Sequence, residues 1–500
     1  MKFYELPPAV DSAIKNTDIR PYVRVMFELK DNDYFIPNAD ILSCNISSYK
    51  STEGGIINVG EITLDNKRND YTFEMNDGYT TDLPVQIWYC FGDNTNTFLR
   101  FRLFVDSNGF QNQATGYLDK TTVIKLVDLS CKLNDEKLQK NWTDDETVIH
   151  SVVCDKQNPD KSLVHIIAKR GGIEPSQINC GYLPFSIPYA VIENTAWKEL
   201  CALARAYNST VECGKDMTLS FIESPYDTEN QYSEEVCYEL NEKEITHFRY
   251  FNYLENYANN IRLKYTRYVE TEVQELWKYE DAPCWYDDQM NAYYPFTDDT
   301  RKIVSESDYQ ALYTAKNKDG KFRNVVYASE IDTADQFLEN LQTSENKQFE
   351  LIKYDTKTYP DRAVIQLGRN DQLIGLYKAT INGKAIISET NFSVYVKNET
   401  EIKKKGQIVK NVSSKYLSDD PFDEVPFYEK RVRDLLSDSI KKIHGYYLTT
   451  YIPMIHARVN ACMNIRLNAN EKFEKVRIEE ITFKYKKDDS FCTCVWVKSV

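Results

Sequence analysis

Glycine and proline are scarce in this sequence, with 17 and 16 residues among 500. Neither G-x-G-x-x-G nor G-x-x-x-x-G-K-[ST] occurs, which excludes the two common glycine-rich loops that bind nucleotide phosphates. No apolar run approaches the ~18 residues of a membrane-spanning helix, and the first ten residues do not resemble a signal peptide. We therefore expect no nucleotide cofactor and no membrane span.

Patterns of histidine and cysteine that are typical of catalysis are also missing. None of the five histidines stands in a metal-binding spacing, and we expect His165 and His444 to be structural. The twelve cysteines include no C-x-x-C, and their one close pair, Cys492 and Cys494, shares one face of a strand. Since G-x-S-x-G is absent too, we predict no catalytic residues, no metal and no cofactor. Buried thiols also predict synthesis in a reducing cytoplasm.

Aromatic and acidic residues are abundant instead. Aromatics make up 13% of the chain, with 36 tyrosines, and tyrosine suits both half-buried strands and protein interfaces. With a net charge of -15 the surface as a whole repels nucleic acid, whereas a protein that reads a DNA sequence would normally show a basic face. The chain has 76 Asp and Glu residues, so their number alone allows the pair of carboxylates that a glycosidase needs.

Alternating apolar and polar residues predict short strands in the first 150 residues. Tyr22–Lys30 and Leu99–Val105 show this alternation, and turn signals mark further apolar runs. These runs are Ile56–Leu64, Val85–Phe91 and Thr122–Leu129. Several strands at this spacing indicate a sandwich or a barrel.

A helical period replaces this alternation after residue 150. One helix carries Leu163, Ile166 and Ile167 on one face and ends at Gly171–Gly172. A second follows an N-cap at Asn194–Thr195, with apolar residues at i, i+3, i+4 and i+7: Trp197, Leu200, Cys201 and Ala204. A hairpin around Gly214 completes a small α/β module.

Strands return in the second half of the chain, at Thr246–Asn252, Asn260–Val269, Ala363–Leu367, Ala385–Ser388, Phe392–Val396, Val476–Tyr485 and Thr493–Val497. The pair Glu479–Glu480 breaks the alternation of its strand, which predicts a β-bulge. A longer helix is predicted at Tyr428–Tyr446. Two shorter helical patterns, at Ser307–Lys316 and around Ala334 to Leu341, lie in a polar stretch at about residues 281–360.

One aromatic cluster lies in that stretch, and three interpretations of it stay open. Its members are Trp285, Tyr286, Tyr293, Tyr294 and Phe296. Exposed rings beside the polar side chains of Asp287, Asp288 and Asn291 would suit stacking against a sugar. A packed core or a subunit interface would use the same residues.

Several short segments resemble the baseplate hub and tail-tip proteins of tailed phages. Gly60–Asn66 followed by Tyr71, and Val127–Cys131, resemble parts of the first β-domain of that family. The helix–helix–hairpin insert of that family resembles Ser162–Gly172, Ala196–Ala206 and Leu219–Phe221. Its second β-domain resembles Ile261–Tyr265, Tyr377–Asn391 and Pro426–Tyr447. The resemblance covers most of the chain outside residues 281–360.

This resemblance implies a mainly β fold with α+β insertions. Two tail-tube-like β-barrel domains would occupy residues 1–150 and 236–280 plus 361–500. The small α/β module of residues 151–235 would link them, and residues 281–360 would be an inserted polar, aromatic-bearing segment.

The family also implies a structural role without enzymatic activity. Three copies would form a ring that joins the tail tube to the spike or tip and lines the DNA path. Neighbours would be the tail-tube or distal tail protein, the spike or tip protein and the tape-measure protein, and DNA would pass without sequence-specific binding. The chain would be made in the host cytoplasm and assembled into a virion, a gene transfer agent or a contractile injection system, burying more than ~2,000 Å² between subunits.

Two alternatives remain beside the hub. A carbohydrate-binding tail receptor would use Trp285 and its neighbours as a stacking platform, and binding of glycans would distinguish it. A β-rich cell-wall hydrolase would lose its activity on substitution of a single Asp or Glu.

Overall fold

The computed structural model describes most of the chain. The described residues are 3–15, 20–30, 33–71, 82–92, 96–114, 120–135, 146–207, 209–223, 236–253, 257–280, 284–287, 292–295, 327–337, 355–358, 363–366, 378–419, 435–436, 443–489 and 491–499. The chain divides into two compact units, of which the first comprises Met1–Leu263, Val394–Tyr416 and Phe427–Val500. The second comprises Lys264–Ser393 and Leu417–Pro426.

Strands dominate the described residues, with a few short helices. In the N-terminal half the elements are α1 (Pro8–Ile14), β1 (Pro21–Glu28), β2 (Asp33–Phe35), β3 (Ile41–Lys50), β4 (Ile56–Asp65), β5 (Pro84–Phe91), β6 (Thr97–Ala114), β7 (Lys120–Val127), α2 (Leu129–Asn134), β8 (Glu146–Cys154), α3 (Leu163–Arg170), β9 (Ile178–Cys180), β10 (Leu183–Ile192), α4 (Ala196–Ala206), β11 (Ser209–Cys213), β12 (Leu219–Glu223), β13 (Glu239–Leu240) and β14 (Ile245–Tyr253).

The remaining elements follow in the same order. They are β15 (Asn260–Glu270), β16 (Gln274–Glu280), β17 (Cys284–Asp287), β18 (Ala292–Pro295), β19 (Tyr327–Phe337), β20 (Asp355–Thr358), β21 (Ala363–Gln366), β22 (Lys378–Lys397), α5 (Glu399–Lys405), β23 (Val409–Asp419), β24 (Ile443–Thr450), β25 (Cys462–Ile465), β26 (Glu474–Lys486) and β27 (Cys492–Ser499).

One long sheet organises the first unit. Its path runs β14-β24-β27-β26-β3-β4-β7-β6-β5-β1-β2, and five further described strands join it at the side. Among the described residues the path is open, with β14 at one end and β2 at the other. The neighbouring pairs along this path are antiparallel. A mainly β fold is therefore confirmed, whereas the two separate barrels and their boundaries stay predictions.

The middle of this sheet joins the two ends of the sequence. β26 pairs with β3 over seven residues, from Glu480 opposite Tyr49 to Lys486 opposite Ser43. The hydroxyl oxygens of Ser47 and Thr482 lie 2.8 Å apart across this seam. Apolar side chains from both strands enter one hydrophobic core because their alternate residues face the same side of the sheet.

The predicted β-bulge lies in β26. The register between β26 and β27 shifts between Ile478 and Glu480, so Glu479 is the extra residue. Its side chain is buried and paired, with Oε1 2.8 Å from Nε of Arg477 and Oε2 3.5 Å from Nζ of Lys498. Burial raises the pKa of Glu479, but Arg477, Lys50 and Lys498 together hold it below its usual range.

The two helices and the hairpin predicted for the α/β module are present. α3 ends against Gly171, and α4 begins after Thr195, whose hydroxyl accepts a hydrogen bond from the backbone N–H of Lys198. The hairpin β11–β12 pairs in parallel with β9 and, at Glu212, with Ile56 of β4. These parallel pairs attach the hairpin to the long sheet.

A buried carboxylate fixes α4. Glu199 is 1% exposed, and its carboxylate accepts hydrogen bonds from the backbone N–H of Asn194 at 2.9 Å and from Nζ of Lys415 at 2.7 Å. The hydroxyl of Tyr416 donates to the same carboxylate. Because a buried charge without partners is costly, this cluster ties α4 to the end of the segment Val394–Tyr416 of the first unit.

The second unit contains short hairpins and part of a five-stranded sheet. That sheet runs β16-β22-β15-β23, with β19 also paired to β22. β22 is 20 residues long and pairs with β16 around Asn382–Gly383. Two separate hairpins, β17–β18 and β20–β21, belong to the same unit.

Two helix predictions are wrong where the structure describes them. The helix predicted at Tyr428–Tyr446 is interrupted by β24, whose residues from Ile443 onwards pair with β14 and β27. Leu435 and Leu436 are helical, and the other residues of that prediction lie outside the described ones. Ala334 and Phe337 belong to β19, because pairing with β22 overrides their helical spacing. The pattern at Ser307–Lys316 lies outside the described residues.

Candidate assembly surfaces

The β14 end of the long sheet has one strand edge that no described strand pairs with. Among the described residues β14 pairs only with β24, so its other edge offers unpaired backbone groups. Thr246 to Tyr250 are exposed, and the side chains of Phe248 and Tyr250 are each 51% exposed. A long exposed edge with large apolar residues is a template for pairing with another chain.

These two aromatic residues continue the core face of the sheet. In the β14–β24 register Phe248 lies opposite Leu448 and Tyr250 lies opposite Tyr446. Leu448 and Tyr446 are buried members of the hydrophobic core. The apolar face therefore runs past β24 and reaches solvent at β14, where no described strand covers it.

A carboxylate orients the rings beside Tyr250. Glu474 accepts hydrogen bonds from Nε2 of His444 at 2.6 Å and from the hydroxyl of Tyr446 at 2.8 Å. The Tyr250 ring centroid lies 5.6 Å from that of His444 and 5.5 Å from that of Tyr446. Burial and Glu474 both raise the pKa of Tyr446, so this phenol stays neutral. The aromatic surface is consequently held in a defined shape by polar contacts.

The β2 end is shorter, and a cation lies against one of its rings. All three residues of β2 are exposed, and Tyr34 and Phe35 are 37% and 47% exposed. The guanidinium carbon of Arg24 lies 4.7 Å from the Phe35 ring centroid, a cation–π contact. Both ends of the sheet thus present aromatic side chains, but the two surfaces are not alike.

The aromatic cluster predicted from the sequence forms a hairpin. β17 pairs with β18 so that Trp285 lies opposite Tyr294 and Tyr286 lies opposite Tyr293. Phe296 lies outside the described residues. The strand register brings four of the five predicted residues together, and their role as a surface or ligand-contact cluster remains a proposal.

The histidines and cysteines have structural surroundings. His165 is buried with Nδ1 2.7 Å from Oγ of Ser162, and Nε2 of His456 donates to the carbonyl oxygen of Cys237 at 2.7 Å. Most described cysteines are buried free thiols. The part of the chain that the structure describes contains no group of three or more His, Cys, Asp or Glu residues suited to a metal ion. None of its helices is long and apolar enough to cross a membrane.

Sequence reasoning missed the surface around Glu474. Thr246–Asn252 was predicted as a strand, but its terminal place in the sheet depends on pairing with a distant segment. His444 was placed in a helix, so its contact with Glu474 had no basis in the sequence. The helix α5 was also missed, although its N-cap is visible in the sequence: the side chain of Asn398 accepts a hydrogen bond from the backbone N–H of Glu401.

Comparison with known proteins gives structural likenesses alone. No family model matches the chain, and no curated protein matches it. Among solved structures, the 43 kDa tail protein of prophage MuSo2 from Shewanella oneidensis is 10% identical with a TM-score of 0.45, covering 95% of this chain and 98% of that one. The tail protein from Neisseria meningitidis MC58 is 8% identical with a TM-score of 0.47, covering 96% and 97%.

A third likeness is to a chain from the virion of a native gene transfer agent particle. It is 9% identical with a TM-score of 0.32, and the alignment covers 96% of this chain and 84% of that one. These structural neighbours are tail and particle proteins, the class of protein that the sequence resemblance names. At such identities and TM-scores they carry no conclusion about what this chain does.

Proposed function

We propose that this chain is a structural subunit of a phage or phage-like tail, which works by contact with other copies and with neighbouring tail proteins. The observation that carries the proposal is the open sheet. Within the described ranges, both of its ends expose a strand edge together with large aromatic side chains. An isolated soluble protein usually blunts or covers such edges, whereas an assembly subunit uses them.

The more specific proposal is a baseplate hub or tail-tip ring. In this arrangement the β14 end of one copy contacts the β2 end of the next. Because these two ends differ, the contact is head-to-tail, and such contacts generate a ring when the rotation between copies closes. We favour three copies, each with two tail-tube-like domains. This arrangement would match a sixfold tube to a threefold spike or tip.

The acidic chain suits a ring through which DNA passes. With a net charge of -15 it repels phosphates, so DNA would move through the lumen without sequence-specific binding. Partners would be the tail-tube or distal tail protein, the spike or tip protein and the tape-measure protein. Assembly into the particle would follow synthesis in the host cytoplasm, and the role requires no catalytic residue.

A carbohydrate-binding tail receptor is the second candidate. The register of the β17–β18 hairpin favours it, because this pairing gathers Trp285, Tyr286, Tyr293 and Tyr294 in two short strands. Aromatic rings with neighbouring polar groups can stack on sugars. This role could also coexist with a structural one.

Charged substitutions at the exposed β14 edge test the assembly role. We expect the wild-type chain to form a threefold ring in light scattering and negative-stain images. The double variant Phe248→Lys with Tyr250→Lys should remain monomeric, because lysine on an edge strand opposes pairing with another strand. Its circular dichroism and unfolding midpoint should stay near wild type, since both side chains are half exposed.

Tyr182→Lys is the matched control, because Tyr182 is 66% exposed and lies away from β14 in the sequence. This variant should form the same ring as the wild type. A ring that survives in the double variant would contradict the β14 contact. A wild-type chain that stays monomeric at ~100 µM would count against self-assembly altogether.

A further inference from the structure

Two cysteines of the α/β module end neighbouring strands that do not pair with each other. Cys154 is the last residue of β8, which pairs with β10, and Cys180 is the last residue of β9, which pairs with β12. Both are buried and free, at 0% and 8% exposure. The sequence separates them by a segment that contains α3, so only the fold brings them together.

The two thiols are in direct contact. Their side chains hydrogen-bond to each other, and Sγ of Cys154 also lies 3.0 Å from the carbonyl oxygen of Gly181, the residue after Cys180. Two free thiols that meet across a fold, and not along one strand, have the relation that disulfide partners require. Gly181 and Tyr182, which follow Cys180, belong to no strand, so a small adjustment can occur beside the pair.

The surroundings divide the chemical roles between the two sulfurs. The hydrogen bond from Cys154 lowers the pKa of the Cys180 thiol; burial opposes this effect, and Lys156 adds to it. The same hydrogen bond and burial raise the pKa of Cys154. Cys180 is thus the better nucleophile, and it borders exposed residues, Gly181 and the 66% exposed Tyr182. A small reagent can approach from that side.

We propose that Cys154 and Cys180 form a reversible disulfide when the chain meets a low-molecular-weight disulfide such as oxidised glutathione. The Cys180 thiolate attacks one sulfur of the reagent, forms a mixed disulfide and releases one glutathione thiolate. Cys154 then gives up its proton and attacks the Cys180 sulfur, and the second glutathione leaves as a thiol. The two protein thiols are oxidised, and the reagent is reduced to two thiols.

The bond would join the end of β8 to the end of β9 and close the loop that carries α3. β8 belongs to the two-stranded sheet with β10, whereas β9 belongs to the long sheet. The disulfide would therefore tie the module to the long sheet once the chain leaves a reducing cytoplasm. This inference does not depend on the assembly role proposed above.

A second close pair, Cys492 and Cys494, serves as an internal comparison. These residues stand two apart on β27, and Sγ of Cys494 lies 3.8 Å from Oγ1 of Thr449. Two residues on the same face of one extended strand cannot reach disulfide geometry without bending the strand. We expect this pair to stay reduced under conditions that oxidise Cys154 and Cys180.

Peptide mapping of the full chain after incubation with oxidised glutathione tests the proposal. The expected product is a proteolytic peptide that links Cys154 to Cys180 and that dithiothreitol separates. Oxidation should raise the melting temperature by a few degrees, because closing this loop restricts the unfolded chain. Cys154→Ser should instead accumulate a stable glutathione adduct at Cys180, since the second thiol is missing.

Cys492→Ser is the control, and it should give the same linked peptide as the wild type. A wild-type chain in which Cys180 carries glutathione without closing onto Cys154 would overturn the proposal, and so would a linkage to any other cysteine. Both of these outcomes are measured on the wild-type chain, so the test remains decisive even if Cys154→Ser folds poorly.

Discussion

The β3–β26 seam and the β14 end belong to the same sheet, yet they use aromatic side chains in opposite ways. At the seam Phe483 is fully buried, with its ring centroid 5.7 Å from that of Tyr89 and 5.9 Å from that of Phe101. At the end Phe248 and Tyr250 continue the same apolar face but remain half exposed. The difference shows that the apolar face is closed at the seam and open to solvent at the described β14 end, where we propose that a partner binds.

Truncating one aromatic residue in each region should give the largest difference. Phe483→Ala removes a ring from a closed core, where the cavity cannot be filled, and should lower the free energy of unfolding by about 4 kcal/mol. Phe248→Ala should change it by less than about 0.5 kcal/mol, because the side chain is already half in water. Urea denaturation followed by circular dichroism measures both. Equal losses would mean that β14 is part of the closed core.

The seam also depends on one buried charge, that of Glu479. Removing this charge should lower the free energy of unfolding somewhat less than Phe483→Ala does. Glu479→Gln leaves Lys50, Arg477 and Lys498 without their shared carboxylate, and should cost about 3 kcal/mol near neutral pH. Because partners lower the folded-state pKa of Glu479, its contribution is complete above the unfolded value of about 4.3. It is lost as the pH falls through the folded value.

The wild type and Glu479→Gln should therefore differ in stability at neutral pH and converge in acid. Denaturation curves between pH 7 and about pH 3 check this convergence. Glu61→Gln is a suitable control, because Glu61 lies on the neighbouring strand β4 but is exposed. A constant gap between Glu479→Gln and wild type across this range would show that packing, and not charge, accounts for the loss.

Sequence reasoning succeeded where all the signals lie close together in the chain. The N-cap at Thr195 and the spacing of Trp197 and Leu200 predict α4, and every part of that signal lies within one helix. The break in alternation at Glu479–Glu480 likewise predicts the β-bulge in β26. Such features follow from the spacing of apolar residues along a helix or strand, which can be seen in a short stretch of sequence.

The central strand β3 escaped prediction because serines interrupt its apolar pattern. Ser43 precedes the buried residues Cys44 and Ile46, and Ser47 and Ser48 follow them. Its pairing with β26 involves residues more than four hundred positions away, which no window of sequence contains. The contact that joins both ends of the chain into one sheet is therefore a property of the fold alone.

β24 shows the same limit at the edge of the sheet. Ile443 and its neighbours have a spacing compatible with a helix, but β14 and β27 flank them and impose an extended backbone. Tertiary context overrides such a local preference. The surface around Tyr250, His444 and Glu474 follows from that override, which is why the sequence did not predict it.

The β17–β18 hairpin provides the smallest expected effect and the sharpest contrast with the β14 end. If assembly uses the sheet ends, Trp285→Ala with Tyr293→Ala should leave the ring intact, whereas Phe248→Lys with Tyr250→Lys should dissolve it. Binding of the purified ring to immobilised cell-surface glycans should also be unchanged by the hairpin variant. Loss of glycan binding with an intact ring would instead assign the hairpin to a receptor role, because aromatic residues that stack on a sugar need not contact a neighbouring subunit. Loss of the ring would place a subunit contact in the hairpin, since aromatic side chains are enriched at such interfaces.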